Sequence, residues 1–198
     1  MTSSRTLLLL AGAGLAFTAC SQNAGTANGA SANESTAASS PATSSDPLQS
    51  ALAAAPESIA KDAAVIVMNP DGTMKPLRAG TNGFTCMPDN PATPGADPMC
   101  MDANAMKWAE AWIGHKTPPP DNVGLMYMLA GGSDASNTDP WGTKPADGGK
   151  WVDTGPHVMI VGSESLNKLY PSGDNPDTSK PYVMFGGTPY AHMMIPIG

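Results

Sequence analysis

Positive charge is scarce in this sequence: ten lysines and arginines stand against seventeen acids, for a formal net charge of −7. No basic stripe is available to neutralise phosphates, so neither nucleic acid nor an anionic membrane surface is an expected partner. Long apolar runs are missing too. The run from Leu7 to Phe17 is eleven residues, against the roughly 20 that a helix needs to cross a bilayer core about 30 Å thick. There is no Walker loop, G-x-G-x-x-G, H-E-x-x-H or C-x-x-C, so nucleotide, zinc-protease and thioredoxin-like chemistry have no support. Charged residues of all kinds make up only 14%, while the chain holds 21 Gly and 20 Pro. That balance predicts a loop-rich domain held by irregular packing more than by long helices.

The N-terminus has the parts of an export signal. Arg5 and the terminal amine supply positive charge, Leu7 to Phe17 the apolar core, and Thr18 and Ala19 the small residues that follow. Cys20 comes next. Phe17-Thr18-Ala19-Cys20 resembles the lipobox of bacterial lipoproteins, although the family's usual Leu is Phe17 here. The resemblance implies cleavage after residue 19 and acylation of Cys20 by fatty acids such as palmitate. Ser21, rather than Asp, implies delivery to the outer membrane, with the protein facing the periplasm. It covers the first twenty residues and implies nothing about the domain beyond.

Ser21 to Asp46 is almost entirely Ser, Ala, Asn, Thr and Gly, with no base, no aromatic and no large aliphatic residue. Such a segment cannot bury enough apolar surface to offset chain entropy, so a flexible tether is expected. As a random coil of about 26 residues it would reach roughly 25–30 Å. The expected organisation is thus a signal peptide over 1–19, a tether over 20–48 and a single domain over 49–198. Losing the signal removes only Arg5, leaving nine bases and the same seventeen acids. About 150 residues remain, enough for one core.

With Cys20 assigned to the lipid, Cys86 and Cys100 are left as a pair. In an exported chain the expectation is a disulfide, closing a loop of about 15 residues that contributes roughly 3 kcal/mol in the chain-entropy model. Thiolate ligation of a metal is the alternative, but zinc pairs are usually two to four residues apart and no second pair completes the set.

Local patterns outline the domain. Leu48, Leu52, Ala55 and Ile59 have helical spacing, interrupted at Pro56. Pro70-Asp71-Gly72 separates two apolar, β-branched runs and predicts a hairpin of residues 63–69 with 73–78. Asp102 suits an N-cap for a helix reaching Trp112 or Ile113, ended by Gly114 and Pro118 to Pro120; Ala105, Trp108, Ala109 and Trp112 share one face. Strands are expected at 123–130, 156–161, 182–185 and 191–197, with a long polar loop over 131–149 and a short helix near 163–170. The fold class that follows is α+β: a mainly antiparallel sheet with two or three short helices.

Two late strands share the pattern H-x-M-I: His157-Val158-Met159-Ile160 and His192-Met193-Met194-Ile195. Alternate strand residues face the same way, so each His stands beside a Met, and paired strands could bring two imidazoles and two thioethers together. Such N/S ligand sets suit copper, Cu(I) especially. Thirteen methionines in an exported chain keep the idea open. The opposing reading is that Met is a flexible core filler and that each His bonds a backbone carbonyl, with no cofactor at all.

Other candidates are weaker. Gly131-Gly132-Ser133-Asp134-Ala135 resembles the nucleophile elbow G-x-S-x-G of α/β-hydrolases, but its last Gly is Ala135 and turn residues follow; the base would be His157 or His192. Asp134, Ser136, Asn137 and Asp139 are oxygen-rich but fail the EF-hand spacing, and local side-chain turns explain them. Trp141 and Trp151 could line a pocket or a carbohydrate surface, or pack over the core edge. The expectation is a lipid-anchored envelope protein serving as a binding or structural module, its small-molecule or protein ligand unspecified, the alternatives being a copper or other metal handler and a hydrolase.

Overall fold

The computed structural model describes residues 44–198. The signal segment, Cys20 and most of the tether lie outside the described residues. The chain enters through α1 (Pro47–Leu52), where Pro47 stands in the first turn and Asp46 caps the helix by accepting the amide of Leu48. Helical structure therefore begins ahead of the expected domain start at residue 49. Pro56 lies between α1 and α2 (Glu57–Ala60), so the Ala-rich stretch folds as two pieces. With α3 (Ala103–Ile113) and α4 (Glu164–Asn167) there are four helical segments where two or three were expected.

The strands are β1 (Ala64–Met68), β2 (Met74–Arg78), β3 (Thr85–Met87), β4 (Met99–Met101), β5 (Gly124–Met128), β6 (Ser133–Asp134), β7 (Val152–Asp153), β8 (His157–Val161), β9 (Tyr182–Met184) and β10 (His192–Pro196). Eight form one sheet in the order β2-β1-β3-β4-β5-β8-β10-β9, and β6 and β7 form a separate ribbon. The large sheet is mixed, since β1 and β3 run parallel while the other strand neighbours are antiparallel. The expected β1–β2 hairpin forms around Pro70-Asp71-Gly72. Asp71 accepts the amide and hydroxyl of Thr73, and Gly72 adopts φ +81°, which glycine takes without strain.

β3 and β4 carry Cys86 and Cys100 as direct cross-strand partners, joined by a disulfide with the Cα atoms 3.9 Å apart. These strands were not expected, because three residues are too few to show a period. β6 likewise emerges from what reads as a polar loop, and β7 follows just after it.

Side-chain alternation divides the core by sheet face. On one face Val65, Cys86 and Cys100 pack with Ala51, Ala54 and Ala60, closed by Leu48 and Tyr127. On the other, α3 lays Ala105, Trp108 and Ala109 over the strands. Gly124 permits this approach: a Cβ there would stand 2.3 Å from the Ala105 amide nitrogen. Asp102 then ties helix to sheet. One carboxylate oxygen accepts the amides of Asn104 and Ala105, and the other that of Leu125 in β5.

Candidate functional site

The face under α3 is made largely of methionine. Strand register arranges its side chains in rows running across the sheet. Met87 stands opposite Met99 on the β3–β4 pair, Met128 opposite His157 on β5–β8, and Pro196 beyond it on β10. The next row runs Thr85, Met101, Met126, Met159, Met194 and Tyr182. The third holds Gly124, Val161, His192 and Met184. The opposite face of the same central strands carries Leu125, Tyr127, Val158, Ile160 and Ile195, with Met193 between them.

Between this methionine face, α3 and the loops around residues 88–93 and 134–143 lies a cavity of about 440 Å³. Seven methionines of the face contribute to its wall, as do both imidazoles, Trp108, Trp112 and Phe185. Its polar edge is Asp97, Ser133 and Asp134. The 86–100 loop is fixed against this edge. Asp97 accepts the Asn90 amide at 2.8 Å and the Thr93 hydroxyl at 2.5 Å, its own amide donates to Asp89, and the Gly95 amide donates to Ser133 Oγ.

The four residues of the H-x-M pattern share the cavity face. Met159 and Met194 are direct partners, whereas antiparallel register sets His157 opposite Pro196 and His192 opposite Val161. The backbone positions of the two histidines are therefore four residues, or about 13 Å, apart along the strands, and the charge of His157 still adds to burial in lowering His192. Register thus sets the two thioether residues side by side and gives each histidine a cross-strand partner that offers no metal ligand on β8–β10. Among the described residues no three His, Cys, Asp or Glu side chains gather as a metal-binding group.

The two histidines have different surroundings. His192, 2% exposed, is boxed edge-on by Trp108 at 5.1 Å and Phe185 at 5.4 Å. Its Nδ1 donates to the Tyr190 carbonyl at 2.9 Å. His157, 1% exposed, donates from Nδ1 to the Gly155 carbonyl at 2.7 Å, and its Nε2 is buried with no partner. A carbonyl can only accept, so Nδ1 carries the proton in both rings and Nε2 keeps its lone pair. Burial holds both imidazoles neutral: it lowers His157, against the opposing bond to Gly155, and takes His192 down to about 4.

The carboxyls are perturbed the other way. Burial, and then the charge of Asp97, raises Asp134 to about 7. Burial also raises Asp97 to about 6, with the hydrogen bonds from Thr93 and Asn90 opposing it. Near Asp134 the Tyr182 hydroxyl is buried without a partner and is pushed up by burial and by that carboxylate. Trp108 Nε1 is a further buried donor with no acceptor.

Ser133 lies in β6, and no helix starts directly after it, so the strand–turn–helix of a nucleophile elbow is not formed. Its hydroxyl engages the Gly95 amide, and neither imidazole is hydrogen-bonded to it. In the oxygen-rich loop, Ser136 Oγ accepts the amides of Thr138 and Asp139, and Asn137 donates to the carbonyls of Gly173 and Val183. These contacts account for Ser136 and Asn137 as loop-forming residues. Trp151 lines the cavity, while Trp141, half exposed, stacks on His115 with ring centroids 4.9 Å apart. Met126, Met128 and Met184 are site residues that the H-x-M pattern does not single out. Extending its parity argument to Gly124–Met128 and Tyr182–Met184 identifies them. Comparison of the chain with protein-family models, curated proteins and solved structures finds no match.

Proposed function

We propose that this protein is a lipid-anchored binding module of the cell envelope, held through Cys20 and taking a small ligand into the methionine-lined cavity. The observation that carries the binding reading is that two residues lining the cavity, His157 and Trp108, each hold a buried ring nitrogen with no partner, Nε2 and Nε1. Leaving a buried group unpaired costs about 1–3 kcal/mol. A bound ligand that pairs with them would offset that cost. The anchor and the envelope address rest on the lipobox-like Phe17 to Cys20 and the polar segment after it. The Cys86–Cys100 disulfide is in keeping with an oxidising compartment.

The cavity can be probed with 1-anilinonaphthalene-8-sulfonate on the full exported chain carrying Cys20→Ser. One dye should bind per chain, with energy transfer from tryptophan. The Ala109→Phe variant, which fills the wall from α3, should lose that binding while keeping its circular dichroism. No saturable binding, or binding unchanged in Ala109→Phe, refutes the cavity as a ligand site. The anchor is checked by the mass of the mature N-terminal peptide. Membrane retention unchanged in Cys20→Ser would sink the lipid reading.

A further inference from the structure

The cavity reading can be taken to a ligand class, resting on that reading. We propose that the cavity is a Cu(I) site, with the metal held by His157 Nε2 and the thioethers of Met128 and Met159. The bond from His157 Nδ1 to the Gly155 carbonyl leaves Nε2 as the lone-pair nitrogen, and fixes the ring. A backbone carbonyl on the far nitrogen is the usual support of a metal-ligating imidazole. This nitrogen is buried, unpartnered and part of a residue that lines the cavity.

Two methionines neighbour His157 on this face. Met128 is the direct cross-strand partner of His157, where Cβ atoms stand about 4.5–5.5 Å apart, and Met159 is the next residue on the same face of β8. Gly132 locates the end of Met128: a Cβ built on it would lie 2.6 Å from Thr154 Oγ1, 3.2 Å from His157 Cε1 and 3.3 Å from Met128 Cε. The methyl of Met128 and the ring carbon between the two nitrogens thus meet the same point of backbone, beside the Thr154 hydroxyl, which is also buried without a partner. Met side chains have three rotatable bonds, so both thioethers can turn toward Nε2.

Neutral imidazole with thioether is a soft donor set that favours Cu(I) over Zn²⁺, Ca²⁺ or Mg²⁺. His192 is left outside this set, because Trp108 and Phe185 box its ring and it stands at the other end of the strands. Plain core filling has no reason to segregate methionine by sheet face, since Leu or Ile would serve. Here the opposite face of β5, β8 and β10 carries Leu125, Val158, Ile160 and Ile195 with Tyr127, and Met193 alone among methionines.

The test is anaerobic titration of the full exported chain carrying Cys20→Ser with Cu(I), in competition with bicinchoninate, so that no thiol contributes. One Cu(I) should bind per chain, with X-ray absorption showing nitrogen and sulfur neighbours. His157→Phe should abolish it. The volume-conserving double variant Met128→Leu, Met159→Leu should weaken it at least 100-fold, and it decides the question if His157→Phe does not fold. Met193→Leu, on the opposite face, should bind as the parent does. No binding by the parent, equal binding by the double variant, or a copper spectrum without sulfur overturns the proposal. If the dye still binds and Ala109→Phe still abolishes that, the binding module stands and only copper is lost. If the dye fails as well, the cavity reading goes with it.

Discussion

Replacing Asp134 by Asn is expected to stabilise the protein at neutral pH and to change little near pH 4. The carboxyl lines the cavity beside Asp97, and burial raises it from 3.8 to about 7. Between those values the folded state holds a proton that the unfolded state has released. Stability therefore falls as pH rises, by at most about 1.4 kcal/mol per pH unit. Over the whole window the loss is bounded at about 4 kcal/mol, and relaxation around a partly accessible carboxyl should bring it to about 1–3 kcal/mol. Asparagine keeps the shape and cannot ionise. His192 acts in the opposite sense, because a folded value near 4 makes stability fall as pH drops below 6.5. Subtracting parent from variant cancels it. Urea unfolding at pH 4, 5, 6, 7 and 8 should give a difference close to zero at pH 4, rising to a plateau above pH 7, with unchanged m-values. A difference independent of pH, or a variant less stable at every pH, would refute the reasoning.

Three further outcomes test the packing. Removing the disulfide with Cys86→Ser, Cys100→Ser should cost about 3 kcal/mol, the loop-closure value for some 15 residues, read as a lower urea midpoint. A loss below about 1 kcal/mol would show that the Asp97 and Asp89 hydrogen bonds order the loop by themselves. Asp102→Ala should cost about 2–3 kcal/mol, above the ~1 of an ordinary cap, because Leu125 also loses its acceptor; Asp102→Asn should recover part of it in the same unfolding assay. Gly124→Ala should cost about 1–3 kcal/mol by thermal or urea unfolding, since its Cβ would meet the Ala105 backbone at 2.3 Å. An unchanged midpoint there would mean that α3 shifts freely on the sheet.

Where a structural choice is made within a few residues, the sequence is readable. The hairpin turn at Pro70-Asp71-Gly72, the Asp102 cap, the break at Pro56 and the pairing of Cys86 with Cys100 all follow from local chemistry or from counting. The three-residue strands β3 and β4 and the β6–β7 ribbon are not readable this way. Their pairing partners are remote or their runs too short for a period, and they exist because neighbouring strands complete their hydrogen bonds.

The candidate site divides along the same line. Alternation by itself determined that His157 and Met159, and separately His192 and Met194, share a strand face, because the period of a strand is two. Only the tertiary structure decided which rows those faces form. Antiparallel register set His192 opposite Val161 and His157 between Met128 and Pro196, and α3 with the loop from Cys86 to Cys100 enclosed the face as a cavity. Register and enclosure are set by contacts between residues far apart in the chain, and no spacing within one strand encodes them.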